Sequence, residues 1–171
     1  MKLSPHIETI NKKYLMGLSC EMSLIENKTE ALFSSFMPIR KQFVNKVNAP
    51  IYEVLLYDDA YFSNFNPNNT FTKWATIAMS YCNSKPESFI PLEIPSGLYA
   101  VFTFNGLVEQ FYKYMEQIFT IWLPDSIYNL DRRPHFNILN DAFKKGDTHT
   151  EEVIYIPIQL KTNTLYSDNQ R

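Results

Sequence analysis

The length, composition and charge of the chain are those of a single folded domain. Its 171 residues are 45% hydrophobic and 20% charged, which excludes a disordered polypeptide. A formal net charge of −2 argues against a cationic surface for a phosphate backbone, so we expect no direct nucleic-acid partner. Because the sequence has neither a signal peptide nor a run of about 20 apolar residues, we also expect no membrane partner and a cytoplasmic location.

The first half of the sequence predicts a strand, a helix and two further strands. Residues 14–23 are rich in apolar side chains and favour a strand. Asn27 is followed three positions later by Glu30, which is typical of a helix start, and apolar residues then recur with helical spacing. Residues 51–57 and 71–81 are predicted strands, separated by a loop rich in Asp, Asn and Pro.

The second half repeats this order of elements. A proline-spaced link over residues 84–97 is expected to be extended, because each proline fixes its own backbone angle and restrains the residue before it. Residues 98–104 then predict a strand, and residues 108–122 carry apolar side chains at the spacing of an amphipathic helix. Residues 135–139 and 153–160 supply two further strands.

This repeated order predicts an α+β fold. Two strand-helix-strand-strand repeats, at about residues 5–82 and 97–160, are expected to pair into a curved antiparallel sheet. Both helices would cover one face and leave a central ligand groove on the other. In this interpretation residues 1–160 form one domain and residues 161–171 a C-terminal tail.

The sequence has no motif that is typical of a cofactor-binding or metal-binding site. Its four glycines are too few and too scattered for a dinucleotide fingerprint or a phosphate-binding loop. His6, His135 and His149 are far apart and match no zinc-ligand spacing. We therefore expect neither a cofactor nor a metal, and we favour a binding protein over an enzyme.

Aromatic side chains are unusually abundant, with 13 Phe, 11 Tyr and 2 Trp. Alternation along a strand sends one face to the helices and the other to the groove, so rings on predicted strands are the candidate ligand contacts. The rings on the stripe of the second helix are interpreted as core instead. The strand candidates are Tyr57, Trp74, Tyr99 and Tyr155, and the rings assigned to the core are Phe111, Phe119 and Trp122.

The acidic candidates are Glu21, which interrupts an apolar strand, and Glu151 with Glu152, which open the last strand. A carboxylate held among aromatic faces attracts organic cations, so Glu21 and Glu151 complete the predicted ligand-binding set. Two alternatives stay open. In the first, Glu21 faces solvent from a half-buried strand instead of facing a pocket. In the second, Glu151 and Glu152 are turn residues.

Several stretches, taken together and in order, resemble the GyrI-like effector-binding domains found alone or fused to AraC-class and MerR-class transcription regulators. They are GLSCEMSLIENKTEALFSSFMPIRK (17–41), KWA (73–75), IPSGLYAVFTFNG (94–106), IFTIWLPDSIYNLDRRPHFNIL (118–139) and EEVIYIPI (151–158). The resemblance implies two strand-helix-strand-strand repeats around a ligand groove. It also implies binding of hydrophobic or cationic compounds, often through an acid four residues before the proline of the last strand. That position is Val153 here.

The expected function is therefore capture of a hydrophobic or cationic organic molecule, in transcriptional regulation or in drug and toxin sequestration. The resemblance implies two alternatives. Some single-domain relatives hydrolyse reactive cyclopropane-containing compounds with a Glu and an aromatic hydroxyl, a role that a glutamate and Tyr155 would fill here. Others are proposed to mask the active site of a protein partner.

Overall fold

A computed structural model describes residues 3–44, 49–139 and 149–162 of the chain. The strands, in chain order, are β1 (His6–Ile10), β2 (Lys13–Met22), β3 (Ile51–Leu56), β4 (Phe71–Ala78), β5 (Ile90–Ile94), β6 (Gly97–Leu107), β7 (Tyr128–Leu130), β8 (His135–Leu139) and β9 (His149–Leu160). The helices are α1 (Thr29–Phe43), α2 (Val108–Gln117) and the short α3 (Leu123–Asp125), and a π-helical turn (Ile118–Trp122) joins α2 to α3.

The predicted order of elements is confirmed: β2, α1, β3 and β4 are followed by β6, α2, β8 and β9. Three strands were not predicted. β5 lies inside the proline-spaced link, where Pro91 is accommodated because β5 is the edge strand of the sheet. The strand predicted over residues 71–81 ends at Ala78 and gives way to a 3₁₀ turn (Met79–Tyr81).

All strand pairs are antiparallel, and the main sheet has the order β1-β6-β9-β8-β3-β4-β2-β5, with β7 added against β9. The α+β prediction is thereby confirmed. In a flat sheet β1 and β2 would lie about 29 Å apart, six strand spacings. A two-residue connection, residues 11 and 12, joins them and spans at most about 11 Å. Residues 95 and 96 join β5 to β6 under the same constraint, so the sheet must curl until its two edges approach.

The inner face of the curled sheet is a packed apolar core. Ile10 of β1 and Ile94 of β5, from opposite edges, cluster there with Val54 and Phe136 from the central strands. Contacts between the two edges and the centre are possible only on the concave side. On the exposed surface, Lys12 of the connection between β1 and β2 forms an ion pair with Glu93 of β5, with Nζ and Oε1 3.1 Å apart.

Both helices lie on the outer, convex face, as the sequence predicts. Phe36 of α1 is fully buried and stacks on Phe89 with ring centroids 5.4 Å apart, over side chains of β2, β3 and β4. At the other end, Ile118 packs on Phe102 and Ile154 from β6 and β9. The two helix-packed clusters use strands at opposite ends of the sheet, which leaves the middle of the outer face between them.

Candidate functional site

A polar cluster occupies the middle of the outer face, between the two helix-packed regions. Side chains alternate along a strand, and the registers of β3 with β8 and of β4 with β3 place Glu53 beside Asn137 and Lys73 beside Leu55 on this face. Glu152 of β9 lies opposite Leu139 and completes the group. Glu53 and Asn137 are buried, with 9% and 2% of their surfaces exposed.

The two carboxylates of this cluster have different partners. Lys73 Nζ is 3.2 Å from Glu53 Oε1, and it also donates to Thr29 Oγ1 in the first turn of α1 at 3.1 Å. Glu152 accepts hydrogen bonds from Asn137 Nδ2 at 3.1 Å and from Thr150 Oγ1 at 3.3 Å. Glu53 is therefore neutralised by a cation. Within the described part of the chain, Glu152 is held by neutral donors.

Burial makes Glu152 an unusual acid. Removal from water raises the pKa of its carboxyl to about 7, and the nearby negative charge of Glu53 adds to the rise. The Thr150 and Asn137 hydrogen bonds and the Lys73 charge act in the opposite direction. Near neutral pH this group therefore exchanges a proton easily, and a positive charge placed beside it would shift it to the carboxylate form.

Aromatic rings border the carboxylates. His135 of β8 sits among Tyr57, Phe62 and Phe119, with ring centroids 5.0, 5.5 and 6.1 Å away. Phe62 belongs to the loop between β3 and β4 and stacks on Phe119 at 4.9 Å, so the cage joins the two halves of the chain. Burial is the main cause of the raised pKa of Tyr57, followed by the phenol of Tyr61, and the charge of Glu53 adds to the rise because the Tyr57 phenol lies close to the acidic cluster.

The ring that comes from the second helix depends on a local change of helical register. Residues 118–122 form a π-helical turn, a rare feature that occurs often at functional sites. The sequence stripe assigns Phe119 to the core, and Phe119 does pack against the apolar cluster under the second helix, while its ring also stacks on the loop ring of Phe62. The aromatic surface then extends outward to Phe65 and Tyr112, which are half exposed.

His135 is held neutral by its surroundings. Only 5% of its surface is exposed, and burial lowers the pKa of the imidazole to about 3. A neutral histidine adds no positive charge to compete with a cation at the neighbouring carboxylates. It acts here as one more aromatic face.

The structure brings three of the predicted ligand contacts together on the concave face, away from this cluster. Trp74, Tyr99 and Tyr155 share the inner core. Tyr99 is fully buried, its hydroxyl donates to the carbonyl of Pro134 at 3.0 Å, and the guanidinium of Arg133 lies 4.7 Å from its ring. Their role as ligand contacts stays a prediction.

Among the other predicted contacts, only Tyr57 lies beside the polar cluster. Glu21 and Glu151 are exposed, and strand alternation points both away from the face that carries the helices. Sequence analysis missed Glu53, Lys73 and Asn137. A signal was present for Glu53, which interrupts the otherwise apolar strand IYEVLL.

The concave face also has an open depression of about 500 Å³, lined by Lys13, Tyr14, Leu15, Tyr52, Ala78, Met79 and Ser80. No carboxylate lines it. The buried carboxylates Glu53 and Glu152 lie instead on the outer face. Within residues 3–44, 49–139 and 149–162, no group of three or more His, Cys, Asp or Glu side chains is arranged to hold a metal ion. Over the same ranges, no helix has the length and apolar character needed to cross a membrane.

The family model of the GyrI-like small molecule binding domain matches residues 3–159, so the chain belongs to the GyrI-like family. No curated protein sequence matches it significantly. Solved structures with the same fold include SAV2435 bound to tetraphenylphosphonium, at 12% identity and a TM-score of 0.60, with 93% of this chain and 94% of that chain covered.

Two further structures share the fold. The EcmrR C-terminal domain is 14% identical with a TM-score of 0.62, covering 94% of this chain and 100% of that chain. A hydrolase encoded by lin2189 from Listeria innocua is 8% identical with a TM-score of 0.58, and 91% of each chain is covered.

Opposite pH dependences are expected from Glu152 and His135. Between pH 7 and pH 5 the raised pKa of Glu152 lets the folded protein bind a proton before the unfolded chain does, which stabilises it by about 2 kcal/mol on acidification. The lowered pKa of His135 has the reverse effect, with a loss of about 2 kcal/mol. Relative to the wild type, Glu152→Gln should therefore lose stability on acidification and His135→Phe should gain it, as measured by urea denaturation at both pH values.

The exposed neighbour Glu151 provides the control, since Glu151→Gln should follow the wild type at both pH values. If all three variants changed in parallel with the wild type, neither buried group would have the environment described.

Proposed function

We propose that this protein captures lipophilic organic cations, with the cationic centre at the Glu53–Glu152 cluster and the apolar groups among Tyr57, Phe62 and Phe119. The observation that carries the proposal is the placement, among the residues that the structure describes, of two carboxylates and one ammonium next to an aromatic cage. With Glu152 ionised, the charges of Glu53, Lys73 and Glu152 sum to −1.

The physical reason is the cost of burying charge. A buried carboxylate without a cationic partner is destabilised, and Glu152 avoids this cost by holding a proton. A cation that arrives with its own apolar shell can replace that proton and gain both ring contacts and charge attraction. The solved SAV2435 complex, whose ligand is tetraphenylphosphonium, supports this choice of ligand class for the fold.

Removing a carboxylate should weaken cation binding more than binding of a neutral analogue. Glu53→Gln keeps the shape of the side chain but removes its charge, so the affinity for tetraphenylphosphonium should fall at least about tenfold. Binding of uncharged triphenylphosphine oxide should change little. Tryptophan fluorescence titration measures both, and Glu151→Gln is the matched control. Wild-type protein that binds neither compound would contradict the proposal.

Cation affinity should also depend on pH. Because the ligand competes with the proton on Glu152, tetraphenylphosphonium should bind about tenfold more tightly at pH 8 than at pH 6. The groups that face this carboxyl are Glu53, Lys73, Asn137 and Thr150. In Glu152→Gln the pH profile should become flat. A wild-type affinity that is independent of pH would exclude Glu152 from the site.

A second candidate function is hydrolysis of an electrophilic ligand, which is favoured by the same near-neutral pKa of Glu152. A carboxylate that gains and loses a proton near pH 7 can act as a general base toward water. The Listeria innocua hydrolase encoded by lin2189 shares the fold of this chain. Incubation with activated cyclopropane esters, followed by mass spectrometry, tests this. Consumption that is equal in wild type and Glu152→Gln would exclude it.

A further inference from the structure

One lysine sets the charge balance of the polar cluster. Lys73 and Glu53 keep 13% and 11% of their side-chain surfaces exposed, and their charged atoms are 3.2 Å apart. The Lys73 ammonium is also anchored to Thr29, so it reaches solvent only by giving up both contacts. The negative charge of Glu53 is thus neutralised by Lys73 of the same chain, and Glu152 is the carboxylate that remains for a ligand.

We propose that Lys73 is a specificity-determining residue that makes this site select ligands carrying one positive charge over ligands carrying two. This inference rests on the proposed function. The ammonium occupies the position that a second ligand charge would need beside Glu53. A dication must therefore either leave one charge unpaired in a largely buried site or displace Lys73 from two partners.

The ratio of affinities for monocation and dication separates this role of Lys73 from that of a purely structural ion pair. A structural pair would support the fold and would affect all ligands alike when removed. A charge-selecting lysine changes the ratio of affinities for monocation and dication, since it alters the sum of charges from −1 to −2 when it is lost. The ratio is therefore the informative quantity, because differences in overall stability cancel from it.

Ethidium and propidium are suitable probes, because they share an aromatic ring system and carry one and two positive charges. At pH 8.5 the wild type should bind ethidium at least about tenfold more tightly than propidium. In Lys73→Met the ratio of affinities should shift toward propidium by at least about tenfold. The double variant Glu53→Gln/Lys73→Met, which restores a charge sum of −1, should return to the wild-type ratio.

Lys73→Gln removes the same charge but keeps a polar side chain beside Glu53 and Thr29, so it should shift the ratio in the same direction and keeps the test available where Lys73→Met does not fold. Lys13→Met, which removes a charge from the opposite face, is the control and should leave the ratio unchanged. Thermal unfolding verifies that each variant is folded before it is titrated.

The outcomes distinguish this inference from the function on which it rests. If wild-type protein binds neither dye, the proposed function fails and this inference fails with it. If ethidium binds but Lys73→Met and Lys73→Gln both keep the wild-type ratio, only the selection by Lys73 is overturned. An equal shift in Lys13→Met would also overturn it, since overall surface charge would then be responsible.

Discussion

The architecture depends on two short connections. Residues 11–12 and 95–96 each link a strand at one edge of the sheet to a strand near the other edge, and neither link can cross a flat eight-stranded sheet. The sheet therefore curls on itself and closes an apolar core on its concave face. Helices cannot enter that interior, so both pack outside, and the space between them on the convex face becomes the place where polar side chains gather.

The buried polar cluster is costly for stability and is therefore informative about function. An apolar replacement of Glu53, Lys73 and Asn137 would bury the same surface without desolvating charge, and buried ion pairs contribute little net stability in general. Glu152 adds a group that holds its proton near neutral pH beside an aromatic cage. Such an arrangement is unfavourable for folding alone, and this cost is the physical ground for the proposal that the cluster binds a cation that brings its own apolar surface.

Pattern reasoning predicted much of the local structure, whereas the contacts within the polar cluster lay beyond it. Helical spacing predicted α1 and α2 and assigned Phe119 to the core, where it packs, but a regular 3.6-residue period does not anticipate the π-helical turn or the stacking of Phe119 on Phe62. The predicted rings Trp74, Tyr99 and Tyr155 do cluster with one another, on the concave face. Glu21 and Glu151 were predicted as ligand contacts because they are acids near apolar runs. Both are exposed, and their role as ligand contacts stays a prediction.

The sequence by itself determined the order of the elements in the two strand-helix-strand-strand repeats, the α+β class and the abundance of rings, because these follow from side-chain periodicity and composition over neighbouring residues. The tertiary structure alone decided which carboxylates meet. Glu53 and Lys73 come from two consecutive strands in the first half of the chain and Asn137 and Glu152 from two in the second half, and their side chains share one face only through the pairing registers of β3, β4, β8 and β9. A one-residue shift in any of these registers would turn a member to the opposite face, and local sequence does not encode that choice.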